Sequence, residues 1–522
     1  MLMSAADYRE SLRSYHPTVY VEGKRVESVA DEPLLAPGIN GIGVTYDFAL
    51  QESSQALMRT AAPGFDGPVN RMIAIPRSSA DLLNKLEAVR LVCQETGCAQ
   101  RYLGGDALSA IFHGTHRIDA EEGTKYHERI KAYLERVYAN DLTLGIAMTD
   151  AKGDRSLRPG QQPNPDTYVH IVERRSDGIV ISGTKAIVTS APYVHQLLVM
   201  PGRNMTEGDK DFAVCCAVPV DAQGLTIVAR PAGRPGEAAA SFSSKYGQST
   251  GVCLFDKVFV PWERVFCAGE WRHSSAIVYN YTSQHRHTCI AARAGFGDLL
   301  IGAGALVTEA NGINLDEAHN LREAMIDLIK ITEGFYACGV AASVYCEESD
   351  AGIVTPDPVF SNIGKLLLAT QIYDMHRLAH HVSGGMIVAL PGPGEDHNPA
   401  TAGRLSEVLT ARSDIPYEKR IEVARFLEDL TASYQAGWYS LISLHGGGSP
   451  EAMKMEIYRN YPIGNKVDLV ERLLDRGVLA DETRRITRNR QPGKCCAVGC
   501  FAPDTPRMVA LPRSPSKSLA SD

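Results

Sequence analysis

At 522 residues, 44% of them apolar and 22% charged, the chain has the make-up of a folded enzyme of two or three subdomains, not of a disordered or fibrous protein. A net charge of −8 and a pI of about 6.0 argue against nucleic acid or another polyanion as partner. No apolar run reads as a membrane span, and Met1 to His16 interleaves Asp7, Arg9, Glu10 and Arg13 with apolar residues instead of following signal-peptide zoning. A cytoplasmic location is therefore expected, with the twelve cysteines mostly as free thiols.

In chain order, residues 1–30 read as a helix followed by an extended segment through Pro17 to Val26. Gly38, Gly41 and Gly43 lack the spacing and the following helix of a dinucleotide fingerprint, and read as a loop. Residues 79–140 are helical by apolar period, in three runs. The first is capped at Ser79-Ala80-Asp81, the second covers Arg101 to Phe112 and the third His127 to Asp141. From Tyr168 to Phe266 short β-rich runs alternate with turns, which predicts a small barrel or sandwich in which Pro261 ends the last strand. Helix returns over 280–445: Ala318, Leu321, Met325 and Leu328 form one stripe, which Phe335 and Cys338 extend. Further helices are expected at 362–382, 405–411 and 417–444, together an antiparallel bundle. Gly302-Ala303-Gly304-Ala305 reads as a close helix contact. The segment from Thr487 is basic and rich in Pro and Ser, and its end from Pro515 reads as disordered. The domains expected are 1–144 (helical), 145–278 (β-barrel), 279–486 (helical bundle) and 487–522 (irregular tail).

Two polar stretches stand at the change from helix to strand. Ala147 to Ser156 carries Met148, Thr149, Lys152, Gly153, Asp154 and Arg155; Lys185 to Pro192 carries Thr189 and Ser190. By turn composition alone the first is an ordinary surface turn. A third stretch, His445-Gly446-Gly447-Gly448, combines a helix end with three residues that allow close backbone approach.

Helices, a β domain and a long bundle resemble the acyl-CoA dehydrogenase-like architecture. The motifs Asn140-Asp141 through Arg155-Ser156, Gly183-Thr184-Lys185 through Ala191-Pro192, Phe255-Asp256 to Pro261-Trp262-Glu263, Gly297 to Gly302 and His445 to Pro450 resemble the 4-hydroxyphenylacetate 3-hydroxylase family. Their wording is similar to its 4-hydroxybutyryl-CoA dehydratase/vinylacetyl-CoA isomerase branch. The resemblance implies FAD between the β domain and the helices. Met148, Thr149, Lys152, Gly153, Asp154 and Arg155 would follow the cofactor, with Lys185, Thr189 and Ser190 near the ring. His445, Gly446, Gly447 and Gly448 would approach it, from a neighbouring subunit of a homotetramer in one arrangement.

The branches of that family differ in chemistry. The dehydratase pattern holds a [4Fe–4S] cluster on a C-x3-C pair and on a His and a Cys seven residues apart. Here those positions are Cys98, Tyr102, His285 and Ala292, so two of the four ligands are absent; Cys289 and Cys93 are the available substitutes. The hydroxylase pattern has Arg and Tyr at the first pair and a His before the flavin loop. Only Tyr102 matches it; the other positions are Cys98 and Ile146. Tyr102 and His285 are thus the catalytic candidates, Tyr102 as donor and acceptor to substrate and His285 as general acid/base, each with a plain structural role as its alternative.

The favoured expectation is the oxygenase component of a two-component monooxygenase. It would take FADH2 from a separate reductase and hydroxylate an aromatic or conjugated small molecule through a flavin C4a-hydroperoxide, with no metal. The alternatives are an FAD/[4Fe–4S] dehydratase or isomerase acting on a CoA thioester, and a non-catalytic protein on the same fold. His376, His380 and His381 read as an ordinary amphipathic helix, and Cys495, Cys496 and Cys500 as incidental thiols.

Overall fold

A computed structural model describes residues 1–235 and 241–474; the basic tail from Thr487 and its three cysteines lie outside the described residues. Helix α1 (Ala5–Arg13) starts at Ser4, whose side chain accepts from Asp7 N, and leads into strands β1 (Thr18–Val21) and β2 (Lys24–Arg25). Helix α2 (Ala36–Leu50) follows, with Pro37 in its first turn. Gly38, Gly41 and Gly43 lie inside α2, so the expected loop is corrected to a helix. These glycines serve packing. A Cβ at Gly38 would overlap the Tyr193 hydroxyl, and one at Gly43 would sit 3.0 Å from Ala5.

A short helix α3 (Gln55–Met58) and the hairpin β3 (Arg59–Ala62)–β4 (Phe65–Asn70) precede three long helices. Helix α4 (Ser79–Thr96) is capped by Ser78, one residue before the expected cap, and closes on Gly97 at φ 68°. Helix α5 (Tyr102–Glu122) runs well past Phe112, and α6 (Tyr126–Ala139) matches its expected span.

The β region is two open sheets, not the expected barrel. Its strands are β5 (Leu144–Ala147), β6 (His170–Arg174), β7 (Gly178–Thr189), β8 (Gln196–Val199), β9 (Val214–Pro219), β10 (Leu225–Ala229), β11 (Thr250–Pro261) and β12 (Val265–Ala268). One sheet runs β2-β1-β10-β11-β7-β6, the other β12-β9-β8-β5. Each keeps two edges, so neither closes on itself. β7 is buried along most of its length, whereas β11 alternates buried and exposed residues, as a strand with one wet face does. β5 pairs in parallel with β8 at the edge of the smaller sheet and delivers the polar stretch from Met148.

Helix α7 (Ser274–Ala310) is the centre of the second half, packed against α4, α5, α8 (His319–Val344) and α9 (Pro358–Ser383). The small hairpin β13 (Glu347–Glu348)–β14 (Val354–Thr355) joins α8 to α9. By length and apolar content the stretch Trp271–Ala310 could cross a bilayer, contrary to the expectation that no apolar run reads as a span; 67% of its most apolar window is buried inside the fold, as in a core helix. On α8, Met325, Leu328 and Phe335 are buried, but Leu321 and Cys338 are only half-buried, so the stripe is narrower than expected. Gly304 of α7 meets Met325 and Val382, the close helix contact expected there. Helices α10 (Ala402–Leu409), α11 (Tyr417–Ala432), α12 (Tyr434–His445), α13 (Pro450–Asn460) and α14 (Ile463–Leu473) complete the described chain. The single helix expected over 417–444 divides at Ser433, an extended residue whose hydroxyl accepts Ala436 N and starts α12.

Candidate functional site

The two polar stretches are bound to each other. Lys185 is buried; its ammonium meets Asp150 Oδ1 at 2.6 Å and donates to Met148 O at 2.9 Å and Met200 O at 2.8 Å. Its three donors are thus taken up within the protein. Lys185 therefore holds the Met148–Asp150 stretch in place, with its ammonium fully engaged inside the protein. Ala186 N donates to Thr149 O at 2.8 Å, which closes the junction. Beyond it Lys152 and Gly153 both have positive φ, 76° and 52°, and the chain turns outward with Asp154 and Arg155 exposed. Burial, and then the charge of Arg155, hold the Lys152 ammonium below its ordinary range. An anion between those two cations would relieve the repulsion. Ser190, at φ 60°, is buried and its hydroxyl donates to Gln248 Oε1 at 3.3 Å. Ile187, also at φ 60° and 57% exposed, is a strained position for a β-branched residue.

A second cluster lies where α5 crosses α7. Asp106, one turn after Tyr102 on α5, accepts Lys85 Nζ at 2.9 Å and Thr288 Oγ1 at 2.7 Å. The oxygen that accepts Thr288, Oδ2, is also 3.6 Å from His285 Nδ1. Cys289, one turn after His285, brings its sulfur to 3.5 Å from Nε2. The imidazole is sandwiched: Tyr281 stacks on it at 5.3 Å and Tyr102 at 6.5 Å between centroids. Burial opposes a charge on His285, but Cys289 and Asp106 outweigh it and raise its pKa to about 9. Burial likewise opposes the Cys289 thiolate, and His285, Lys365 and Arg293 overcome it, so that its pKa is lowered. The Tyr102 hydroxyl is pushed up by burial and by the three neighbouring thiols, Cys289, Cys98 and Cys93. It stays a neutral donor.

Buried cations converge here. Arg293, Arg286 and Lys365 are at most 4% exposed, and among the described residues none has a carboxylate in ion-pair range. Arg293 Nε donates to Ser443 Oγ at 2.5 Å and Lys365 Nζ to Ser443 O at 2.6 Å. Arg286 Nε donates to Gly447 O at 2.9 Å, and Gly447, at φ 78°, would place a Cβ 3.4 Å from His285 Cδ2. His445 and Gly448 are exposed and Gly446 is half-buried; Gly448 N donates to His445 O. Of the expected site residues, Tyr102, His285 and Gly447 therefore come together directly. Gln248 joins this cluster to the polar stretches, since it donates to Cys98 O at 2.5 Å while accepting from Ser190.

Sequence reasoning missed Asp106, Arg293, Lys365 and Gln248. A signal for two of them was present. His285, Cys289 and Arg293 recur every fourth residue, one face of a helix, as do Tyr102 and Asp106. Cys98 lies in the turn before α5, not on a helix with Tyr102.

The donor set does not fit an iron–sulfur cubane. Tyr102 and Ala292 fill two ligand positions, the guanidinium of Arg293 lies beside the Cys98 thiol, and no group of three metal-binding side chains exists among the described residues. It does fit a flavin. Gln100 Oε1, a buried acceptor, and Arg293 Nη1, a buried donor, have no partner among the described residues. An isoalloxazine edge offers the N–H and C=O groups to satisfy both.

Residues 4–267 match the family model described as 4-hydroxyphenylacetate 3-hydroxylase N terminal, and 274–475 match its C-terminal counterpart. The chain is 34% identical to the 4-hydroxybutyryl-CoA dehydratase/vinylacetyl-CoA-Δ-isomerase of Clostridium aminobutyricum, over 90% of this chain and 99% of that one. It is 22% identical to the 4-hydroxyphenylacetate 3-monooxygenase oxygenase component of Geobacillus sp., over 87% and 93%. Among solved structures, an oxygen-tolerant 4-hydroxybutyryl-CoA dehydratase of N. maritimus superposes with a TM-score of 0.86 at 33% identity, covering 91% of this chain and 95% of that one. A 4-hydroxyphenylacetate 3-monooxygenase oxygenase component complexed with FAD shares the fold at a TM-score of 0.82 and 20% identity, covering 93% and 100%. The chain belongs to the 4-hydroxyphenylacetate 3-hydroxylase family of flavin-dependent enzymes.

Proposed function

We propose that the protein is a cluster-free flavoenzyme, the oxygenase component of a two-component monooxygenase that uses FADH2 from a separate reductase and hydroxylates an aromatic or conjugated small molecule. One observation carries this reading: two of the four positions that would hold a cluster are Tyr102 and Ala292, and the guanidinium of Arg293 lies beside the Cys98 thiol at a third, while the acid/base group His285 remains. Bound as FADH2, the cofactor supplies the electrons for oxygen activation. The chain's part is positioning. Thr149 and Ser190 would hold the polar edge of the ring, Lys152 and Arg155 would pair with the phosphates, and the Gly446–Gly448 turn would let the backbone come close. Tyr102, neutral and buried, orients a substrate oxygen by hydrogen bonding. The site is otherwise closed by the buried side chains of α5 and α7, which excludes water from the reacting atoms. The functional unit is proposed to be a cytoplasmic homotetramer.

The test supplies photoreduced FAD, oxygen and a panel of phenols and conjugated acids, and measures oxygen uptake with the mass of the product. A gain of one oxygen atom per turnover supports the reading. Substrate-independent peroxide release at every panel member counts against it, and about four iron atoms per chain in anaerobically purified protein would sink it.

A second reading is favoured by the 34% identity to the dehydratase/isomerase. In it the same pocket moves protons on a CoA thioester. Anaerobic conversion of vinylacetyl-CoA by the FAD-loaded, iron-free protein would select it.

A further inference from the structure

Three buried cations of the site lack a counter-charge among the described residues. Arg286 and Arg293 stand on α7 and are 4% exposed; Lys365 stands on α9 and is 1% exposed. Lys365 Nζ finds one acceptor among the described residues, Ser443 O at 2.6 Å, and Arg293 Nε donates to the hydroxyl of the same serine. Arg286 donates to Gly447 O at 2.9 Å and to Asn362 Oδ1 at 2.7 Å. All these acceptors are neutral. Ser443 lies in the last turn of α12 and Gly447 just past it, and a helix C-terminus supplies only about half a negative charge. The carboxylates nearby are engaged elsewhere, Asp106 by Lys85 and Glu456 of α13 by Arg459 at 2.7 Å. Even a thiolate at Cys289 would meet only one of the three charges. Burying uncompensated ions is costly, so the site is short of a negative group. Arg293 Nη1 and Gln100 Oε1, both buried and without a partner, mark where a ligand meets the chain, and both side chains lie beside the Cys98 thiol.

We propose that Arg286, Arg293 and Lys365 are the counter-charge of the reduced cofactor, and that this chain therefore takes reduced FAD in preference to oxidised FAD. The assignment rests on the flavin reading of this site. Reduction of FAD by two electrons, with uptake of one proton, turns a neutral ring into an anion. The three cations then meet a full charge, where the oxidised ring offers them only a polar carbonyl edge. Water does not screen them, because all three are buried. Hydrogen bonds make no such distinction, since Gln100, Thr149 and Ser190 offer the same partners to both forms. Lys365 has donors to spare beyond its one bond to Ser443 O. Hydrogen bonds thus fix orientation and charge selects the redox state. By linkage the same preference raises the potential of the bound flavin, by about 30 mV for each tenfold in affinity.

The test needs neither substrate nor turnover. Without oxygen, the affinity for oxidised FAD is measured by fluorescence titration and that for photoreduced FAD by ultrafiltration. Equilibration with a reference dye gives the potential of bound against free flavin, an independent measure of the same ratio. Reduced FAD is expected to bind about 100-fold more tightly, with a rise in potential of about 60 mV. Lys365→Met and Arg293→Gln are each expected to lower the ratio about tenfold, and Arg293→Lys to keep it. A merely structural role would weaken both forms alike, so an unchanged ratio in the two charge-removing variants overturns the inference. A wild-type ratio near one also overturns it, and that measurement is independent of how the variants fold. Absence of binding by either form overturns it together with the flavin site itself. Preferential binding of the reduced form with no oxygen uptake on any substrate would sink the oxygenase reading and leave this inference standing.

Discussion

Lys185 Nζ lies 2.6 Å from Asp150 Oδ1, and together with the Ala186 N to Thr149 O hydrogen bond that pair ties the strand β7 to the loop that leaves β5. Both side chains are at most 4% exposed. Burial pushes the Asp150 carboxyl up and the Lys185 charge pulls it back, so removal of the lysine leaves a poorly solvated acid under the cofactor stretch. Lys185→Met is expected to cost about 3–5 kcal/mol of stability. It is also expected to weaken FAD binding, because Met148 O and Met200 O lose their donor at the same time. Urea unfolding and fluorescence titration with FAD check the two effects. Unchanged affinity in a folded variant would show that the loop keeps its shape without the pair.

The Lys85–Asp106 pair separates support from chemistry. The two are 2% and 0% exposed and 2.9 Å apart. Asp106→Asn alone leaves Lys85 buried without a counter-ion, and a loss of about 3–5 kcal/mol is expected. The double variant Lys85→Met, Asp106→Leu removes both charges and should regain most of that stability. His285 would still lack its carboxylate, so activity should stay low in the double variant while its melting temperature recovers. Joint recovery would mean that Asp106 matters only for folding.

These pairs also show where sequence reading succeeds and where it stops. The helices α4 and α6 were legible because their apolar residues recur at helical spacing and few other signals compete. Gly38, Gly41 and Gly43 misled, because glycine marks both a turn and a place where a neighbour presses close; only the position of Tyr193, far along the chain, decides between them. Strand runs were visible, but an open sheet and a barrel share the same alternation, and closure depends on which edges meet. At the site, Tyr102 and His285 stood out through their motif positions. Lys365, Arg293 and Asp106 did not. A charged residue in a helix usually faces water, and these three are buried because α5 and α9 both pack on α7.

Acid should loosen the edge from which the Met148–Ser156 stretch emerges. His195 is buried, accepts Thr143 N at Nδ1 and meets Ser11 Oγ at Nε2, both at 2.8 Å. It is therefore held neutral, its pKa pushed down to about 3 by burial and then by Arg101. The unfolded chain would bind a proton near pH 6.5 that the folded chain refuses until about pH 3. The stability this His contributes is therefore complete above pH 6.5 and falls as pH drops toward 3, by up to roughly 5 kcal/mol in all. In urea unfolding from pH 7 to 4, wild type should lose stability more steeply than His195→Gln, by about one proton's worth of slope. Parallel curves would place the acid sensitivity elsewhere.

Gly447 is the position where a small change should reach the cofactor first. Its φ of 78° lies in the left-handed region, and its carbonyl accepts Arg286 Nε at 2.9 Å. An added Cβ would meet His285 Cδ2 at 3.4 Å and Lys365 Cε at 3.6 Å, ordinary contact distances. Space is therefore not the obstacle; the backbone conformation is. Gly447→Ala should cost about 1 kcal/mol through the φ requirement, or a shift of the turn that releases Arg286. Either way the close approach to His285 is filled by a methyl group. FAD affinity should fall several-fold while the melting temperature of the flavin-free protein changes by only a few degrees. If affinity is unchanged, the Gly446–Gly448 turn does not touch the cofactor, and the backbone approach assigned to it must be withdrawn.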